Sequence, residues 1–209
     1  MSGLEVEYWE SLDAIDAQLR TTQREKARNY LAEHGDAIQT RVTDLLRLTD
    51  NLHKHKFFGP ALVSAMTAVD VIVQYVFVGA FSQPLFPLAN DSATVTTRSS
   101  ALQRHYVPTL IQKHGLSIDL LALRLDSGDL LWDTIVGRLW ARRNRIVHTG
   151  YSATGAESEL AVLCAKMLWD DVVLPLSTEL GLTVKKTHCW CRIQHAGQLP
   201  ETFDKKDPF

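Results

Sequence analysis

Cysteine is scarce in this chain. Cys164, Cys189 and Cys191 are the only three in 209 residues. An odd count without framework spacing excludes a disulfide-stapled scaffold and fits a reducing compartment. The opening stretch MSGLEVEYWE is acidic and has no apolar segment, so it does not read as a signal peptide. A cytoplasmic location is the expectation. An excess of positive charge is also missing. The net charge of -2 excludes a general polyanion coat and confines any nucleic-acid contact to a local patch. No Gly-rich phosphate loop, GxSxG, HExxH or internal repeat is present, and no cofactor is expected.

What is present is helical periodicity over nearly the whole chain. Leu4, Tyr8, Leu12, Ile15 and Leu19 recur at three- and four-residue spacing, which predicts a helix from Leu4 to His34 with Gly35 as its stop. Asp36 is placed to cap a second helix, with Ile38, Val42, Leu45, Leu46 and Leu48 inward. The stretch NLHKHKFFGP breaks the pattern. His53 and His55 alternate there with Lys54 and Lys56, and the ammonium groups disfavour a metal on the imidazoles. Pro60 suits a first helical turn, and Ala61 to Phe81 is almost wholly apolar. That run is long enough for a membrane span, but Ser64, Thr67, Asp70 and Gln74 form a polar stripe along it. Asp70 would be costly in lipid, so the run reads as the central helix of a bundle and no membrane partner is expected.

Ser82 to Arg98 reads as a loop. A short helix broken by Pro108 should run to Gly115, and another from Ser117 to Leu125. Asp129 is placed to cap the next helix, and a last amphipathic helix should span Glu157 to Leu180. Its inward side would hold Leu160, Leu163, Cys164, Met167, Leu168 and Val172. The tail fits a short hairpin. It gathers His188, Cys189, Cys191 and His195, but Cys-x-Cys beside a His is not zinc-knuckle spacing, and neighbours on a strand face opposite ways. No metal is therefore expected, and the tail reads as a structural appendage with buried thiols.

The densest cluster of positive charge is WDTIVGRLWARRNRIVHTG, from Trp132 to Gly150. Trp132, Ile135, Val136, Leu139, Trp140, Ile146 and Val147 share one apolar arc, with Arg143 near its centre. Arg138, Arg142 and Arg145 flank it. On a regular helix Arg143 and His148 point about 140° apart. They converge on one site only if the helix ends or bends near Val147.

Arg143-Asn144-x-x-x-His148 resembles the R-x(4–6)-H signature of HEPN domains in its RN-x-x-x-H form. Arg28 with His34 and Arg47 with His53 also have a permitted spacing, but only the third pair has the setting. There Asn follows the Arg, Ile-Val precedes the His, a glycine loop follows, and two long helices flank the pair. The resemblance covers residues 57–180. It leaves 1–56 as an N-terminal helical extension and 181–209 as a C-terminal tail. It implies an all-α fold, a four-helix up-and-down bundle that forms a homodimer with the two motifs facing across a cleft. It also implies metal-independent cleavage of RNA in defence, toxin–antitoxin or stress response, with an antitoxin or regulatory protein as a further partner. Some members of the family are inactive scaffolds that bind a protein or nucleotide.

RNA transesterification needs the 2′-hydroxyl deprotonated, the leaving 5′-oxygen protonated and the phosphorane charge stabilised. An imidazole such as His148 titrates near neutrality and can take or give the proton. A guanidinium such as Arg143 stays charged and grips phosphate oxygens through a planar fork. Asn144 can hold a phosphate or the backbone, Arg138, Arg142 and Arg145 add phosphate attraction, and Asp70 is the candidate acid to orient His148 or pair Arg143.

Overall fold

In the computed structural model, which describes residues 3–81, 100–185 and 189–192, helix α1 (Gly3–Lys54) runs unbroken for 52 residues. The two N-terminal helices expected on either side of Gly35 are one. A single glycine costs a helix only about 1 kcal/mol. Here its bareness is used: the Trp190 indole lies on Gly35, and a Cβ there would collide with the ring. Asp36 is correspondingly not a cap. Its Oδ1 accepts the Trp190 backbone N–H at 3.0 Å, and Gln39 Oε1 accepts the Trp190 Nε1–H at 3.0 Å.

Helix α2 starts at Phe58, with Pro60 in its first turn. It is α-helical over Phe58–Val71, π-helical over Ile72–Val78, and closes with Gly79–Phe81. Among the described helices it alone is long and apolar enough to cross a bilayer, but 72% of its apolar 18-residue window is buried inside the fold. Its apolar surface is therefore spent on the core. Two members of the polar stripe are satisfied: Ser64 donates to the Leu45 carbonyl of α1 at 3.3 Å, and Thr67 to the Val63 carbonyl at 2.8 Å.

The predicted loop Ser82–Arg98 lies outside the described residues. Helix α3 (Ser100–Lys113) runs straight through Pro108. The expected break does not occur, because Val107, Leu110 and Ile111 are buried around the ring and hold the turn. Ser117 to Leu125 is not a helix either. Ser117, expected as a cap, has its N–H and hydroxyl held by the Glu179 carboxylate at 3.0 and 2.9 Å. Asp119 turns back on the Leu121 N–H at 3.0 Å, and Arg124 forms an isolated antiparallel bridge with Leu130.

Helix α4 covers 131–149: Leu131–Asp133, a π-helical stretch Thr134–Leu139, and Trp140–Thr149. Asp129 does not cap it. Leu130 holds the cap position without a side-chain bond, and Asp129 instead accepts from Ser127 at 3.0 Å. Helix α5 covers 155–179, with a third π-helical stretch at Leu168–Val173. It opens on a capping box in which Thr154 and Glu157 satisfy each other's backbone N–H groups. Of its expected inward residues, Cys164, Leu168 and Val172 are buried, whereas Leu163 is exposed.

The expected hairpin forms from β1 (Leu182–Lys185) and β2 (Cys189–Arg192), antiparallel with Val184 opposite Trp190. Cys191 is disulfide-bonded and Cys164 is a buried free thiol. The tail is therefore not a pair of buried thiols, and a sulfur in a disulfide is not a thiolate ligand for zinc. His188 and His195 lie outside the described residues. The five described helices and the hairpin feed one buried apolar cluster, with Leu31, Phe77, Ile111, Trp132, Val172 and Trp190 among its members. The described fold is thus all-α with one two-stranded appendage.

Candidate active site

Helix α4 has two unlike halves. From Leu131 to Leu139 it buries Leu131, Trp132, Ile135, Val136 and Leu139. From Trp140 to Thr149 it buries nothing. Arg143, Asn144, Arg142, Arg145 and His148 all stand on this second half. It ends at Gly150, whose φ of 69° is left-handed and whose N–H closes on the Ile146 carbonyl at 3.1 Å. That is the glycine stop the sequence predicts. It falls after His148 rather than at Val147, so Arg143 and His148 ride one regular stretch and diverge by about 140°. The single chain does not bring them together.

Arg143 faces inward. Its Nη1 donates to Asn144 Oδ1 at 3.0 Å, and its guanidinium carbon lies 5.9 Å from the Trp140 ring centre. Its Nε is buried without a hydrogen-bond partner. Asn144 thus steers the fork rather than standing free. His148 is exposed. Val147 lies on the inward arc within about 40° of Arg143, yet is 51% exposed. The layer that would cover it is not supplied by the described residues.

Asp70 on α2 is half-buried. Burial pushes its carboxyl up to about 6, and the Arg143 charge pulls the other way without reversing the shift. Asp70 is therefore near enough to Arg143 for the two charges to interact. No ion pair joins the two, and among the described residues no hydrogen bond joins Asp70 to His148.

The three flanking arginines differ. Arg138 and Arg145 are exposed. Arg142 is engaged: its Nε lies 2.8 Å from Glu157 Oε1, and it shares the Tyr151 ring with Arg145 at 5.2 and 4.6 Å. Glu157 is held below the usual carboxylate range, first by the Thr154 backbone N–H and further by the Thr154 hydroxyl and the Arg142 and Arg138 charges. Arg142 therefore ties the end of α4 to the start of α5. Tyr151 and Glu157 were not legible as site residues. The capping-box spacing Thr-x-x-Glu was the only signal for the second, and nothing in the sequence pointed to the first.

Among the described residues no three His, Cys, Asp or Glu side chains cluster as metal ligands. A large hollow lies elsewhere. It is a cavity of about 1030 Å³ between α1 and α2, lined by Tyr30, His34, Ile38, Leu45, Val71 and Tyr75 among others and by no residue of α4. No known protein family, curated protein or solved structure matches this chain.

Proposed function

We propose that this protein is a metal-independent endoribonuclease of HEPN type. It acts as a cytoplasmic homodimer in defence, toxin–antitoxin or stress response. The observation that carries the reading is the exposed half of α4, where an inward, Asn-steered guanidinium and an outward imidazole share ten residues with exposed arginines and an uncovered valine. Because Arg143 and His148 diverge within one chain, the working site is composite. A two-fold axis beside α4 lays His148 of one protomer near Arg143 of its partner, and covers Val147 in doing so. His148 then moves the proton between the 2′-hydroxyl and the leaving 5′-oxygen. Arg143 clamps the phosphorane, and Asn144 fixes the angle of the guanidinium. Arg145 and Arg138 draw the phosphate backbone in.

The test is cleavage of labelled RNA in EDTA. Wild type should leave 2′,3′-cyclic phosphate ends, and His148→Ala should lose roughly 10²- to 10⁴-fold in rate. Equal cleavage by both, or by neither, would contradict the proposal.

A second reading, a HEPN-like scaffold that binds a protein or nucleotide, is favoured by the large hollow between α1 and α2, which α4 does not touch. A scaffold keeps its partner after His148→Ala and has no turnover to lose.

A further inference from the structure

The turn between α1 and α2 stands beside the exposed half of α4. A Cβ at Gly59 would lie 3.8 Å from Ile146 Cγ2, and one at Gly155 would lie 3.3 Å from the Phe58 ring. His53 Nδ1 is 3.0 Å from Ser158 Oγ, next to the Glu157 that holds Arg142. The chain thus brings the His-Lys-His-Lys run to the same end of the bundle as the Arg-Asn-x-x-x-His run, 90 residues later in sequence.

Three observations mark this turn. The first is charge. Lys54 and Lys56 are exposed and make no ion pair among the described residues. Two carboxylates held where these elements meet, Asp50 and Glu157, are already taken by Lys166 and Arg142, each at 2.8 Å. Lys54 also faces the last carbonyls of α1, where any cation is favourable. Lys56 lies past the helix end and has no such role.

The second is backbone strain. α1 ends in a Schellman motif, with Phe57 N–H on the Leu52 carbonyl and Lys56 N–H on the His53 carbonyl, both at 2.9 Å. The motif puts Lys56 at φ 62°, where glycine is the unstrained choice. Among the described residues the other positive-φ positions, Gly115, Gly128, Gly150 and Gly181, are all glycine. A lysine where the backbone favours glycine points to its side chain.

The third is the neighbouring aromatic. Phe57 is 58% exposed, a ring offered to solvent between two cationic stretches.

We propose that this turn is a landing site for single-stranded RNA, with Lys54 and Lys56 holding phosphates and Phe57 stacking on a base. It rests on the RNA reading given above and extends that footprint across α4 to a second element. Lysines alone would fit any polyanion. The open ring selects a strand whose bases are unpaired.

The experiment is a titration of a labelled 2′-O-methyl single-stranded RNA, which cannot be cleaved, with the full chain at several salt concentrations. Lys56→Gly should raise the melting temperature by about 2–4 °C by relieving the strain. It should nonetheless weaken binding roughly 3- to 10-fold at low salt and flatten the salt slope by about 0.7. Phe57→Ala should weaken binding at least about 5-fold with the slope unchanged. A wild type that binds while both variants bind equally well overturns this inference and leaves the nuclease reading standing. A wild type that does not bind the strand at all overturns both.

Discussion

The two halves of α4 share one apolar arc and have different fates. Trp132, Ile135, Val136 and Leu139 are buried in the core, whereas Trp140 and Ile146 are only half-covered and Val147 is open. An apolar arc on a helix states which side faces protein. It does not state whose protein. The first half finds its cover within the chain; the second, which carries Arg143, Asn144 and His148, finds none among the described residues, and in the proposed reading a second copy and an RNA cover it.

Trp132→Ala should bring the largest loss on the buried side, about 3–5 kcal/mol in chemical denaturation. His148→Ala on the exposed side should stay within about 0.5 kcal/mol of wild type. Equal losses would mean the two halves are not distinct.

Asp70 sits behind the exposed half and titrates at about 6, above its ordinary 3.8. The native state therefore binds the proton more tightly, and its stability falls as pH rises from about 4 to above 6. The full penalty, about 3 kcal/mol at most, is present above pH 6. Asp70→Asn should remove this slope and stabilise the protein at pH 7. A destabilised variant would show instead that Arg143 depends on the carboxylate.

A smaller effect is expected where α4 is tied to α5. Thr154→Ala should cost about 1 kcal/mol through the lost capping box. Glu157 is held below the ordinary carboxylate range, so the stability it contributes is present above that range and is lost as pH falls through the lowered value. In Thr154→Ala this acid dependence should shrink. An unchanged pH profile in thermal melts would count against the link.

Much of this was legible in the chain, and the misses have physical causes. The polar stripe on α2, the glycine stop at Gly150 and the tail hairpin follow from local pattern. Gly35 and Pro108 misled, because a stop signal is a local cost of about 1–3 kcal/mol that tertiary packing can exceed. Trp190 on Gly35 and the buried ring of neighbours at Pro108 supply that packing. Ser117 misled because a distant carboxylate, Glu179, claimed its N–H. The π-helical stretches in α2, α4 and α5 escape any wheel that assumes a fixed 3.6-residue turn. For the site, the spacing from Arg143 to His148 was visible and so was their divergence. The lysines of the α1–α2 turn were visible as residues but not as neighbours of α4.

The account turns on a site shared between two copies. Arg143→Ala and His148→Ala proteins, each inactive alone, can be mixed under conditions that exchange subunits and assayed for RNA cleavage in EDTA. A composite site predicts recovery of about a quarter of wild-type activity, since half of the dimers are mixed and each mixed dimer carries one intact Arg143–His148 pair. A mixture that stays as inactive as its components would contradict it.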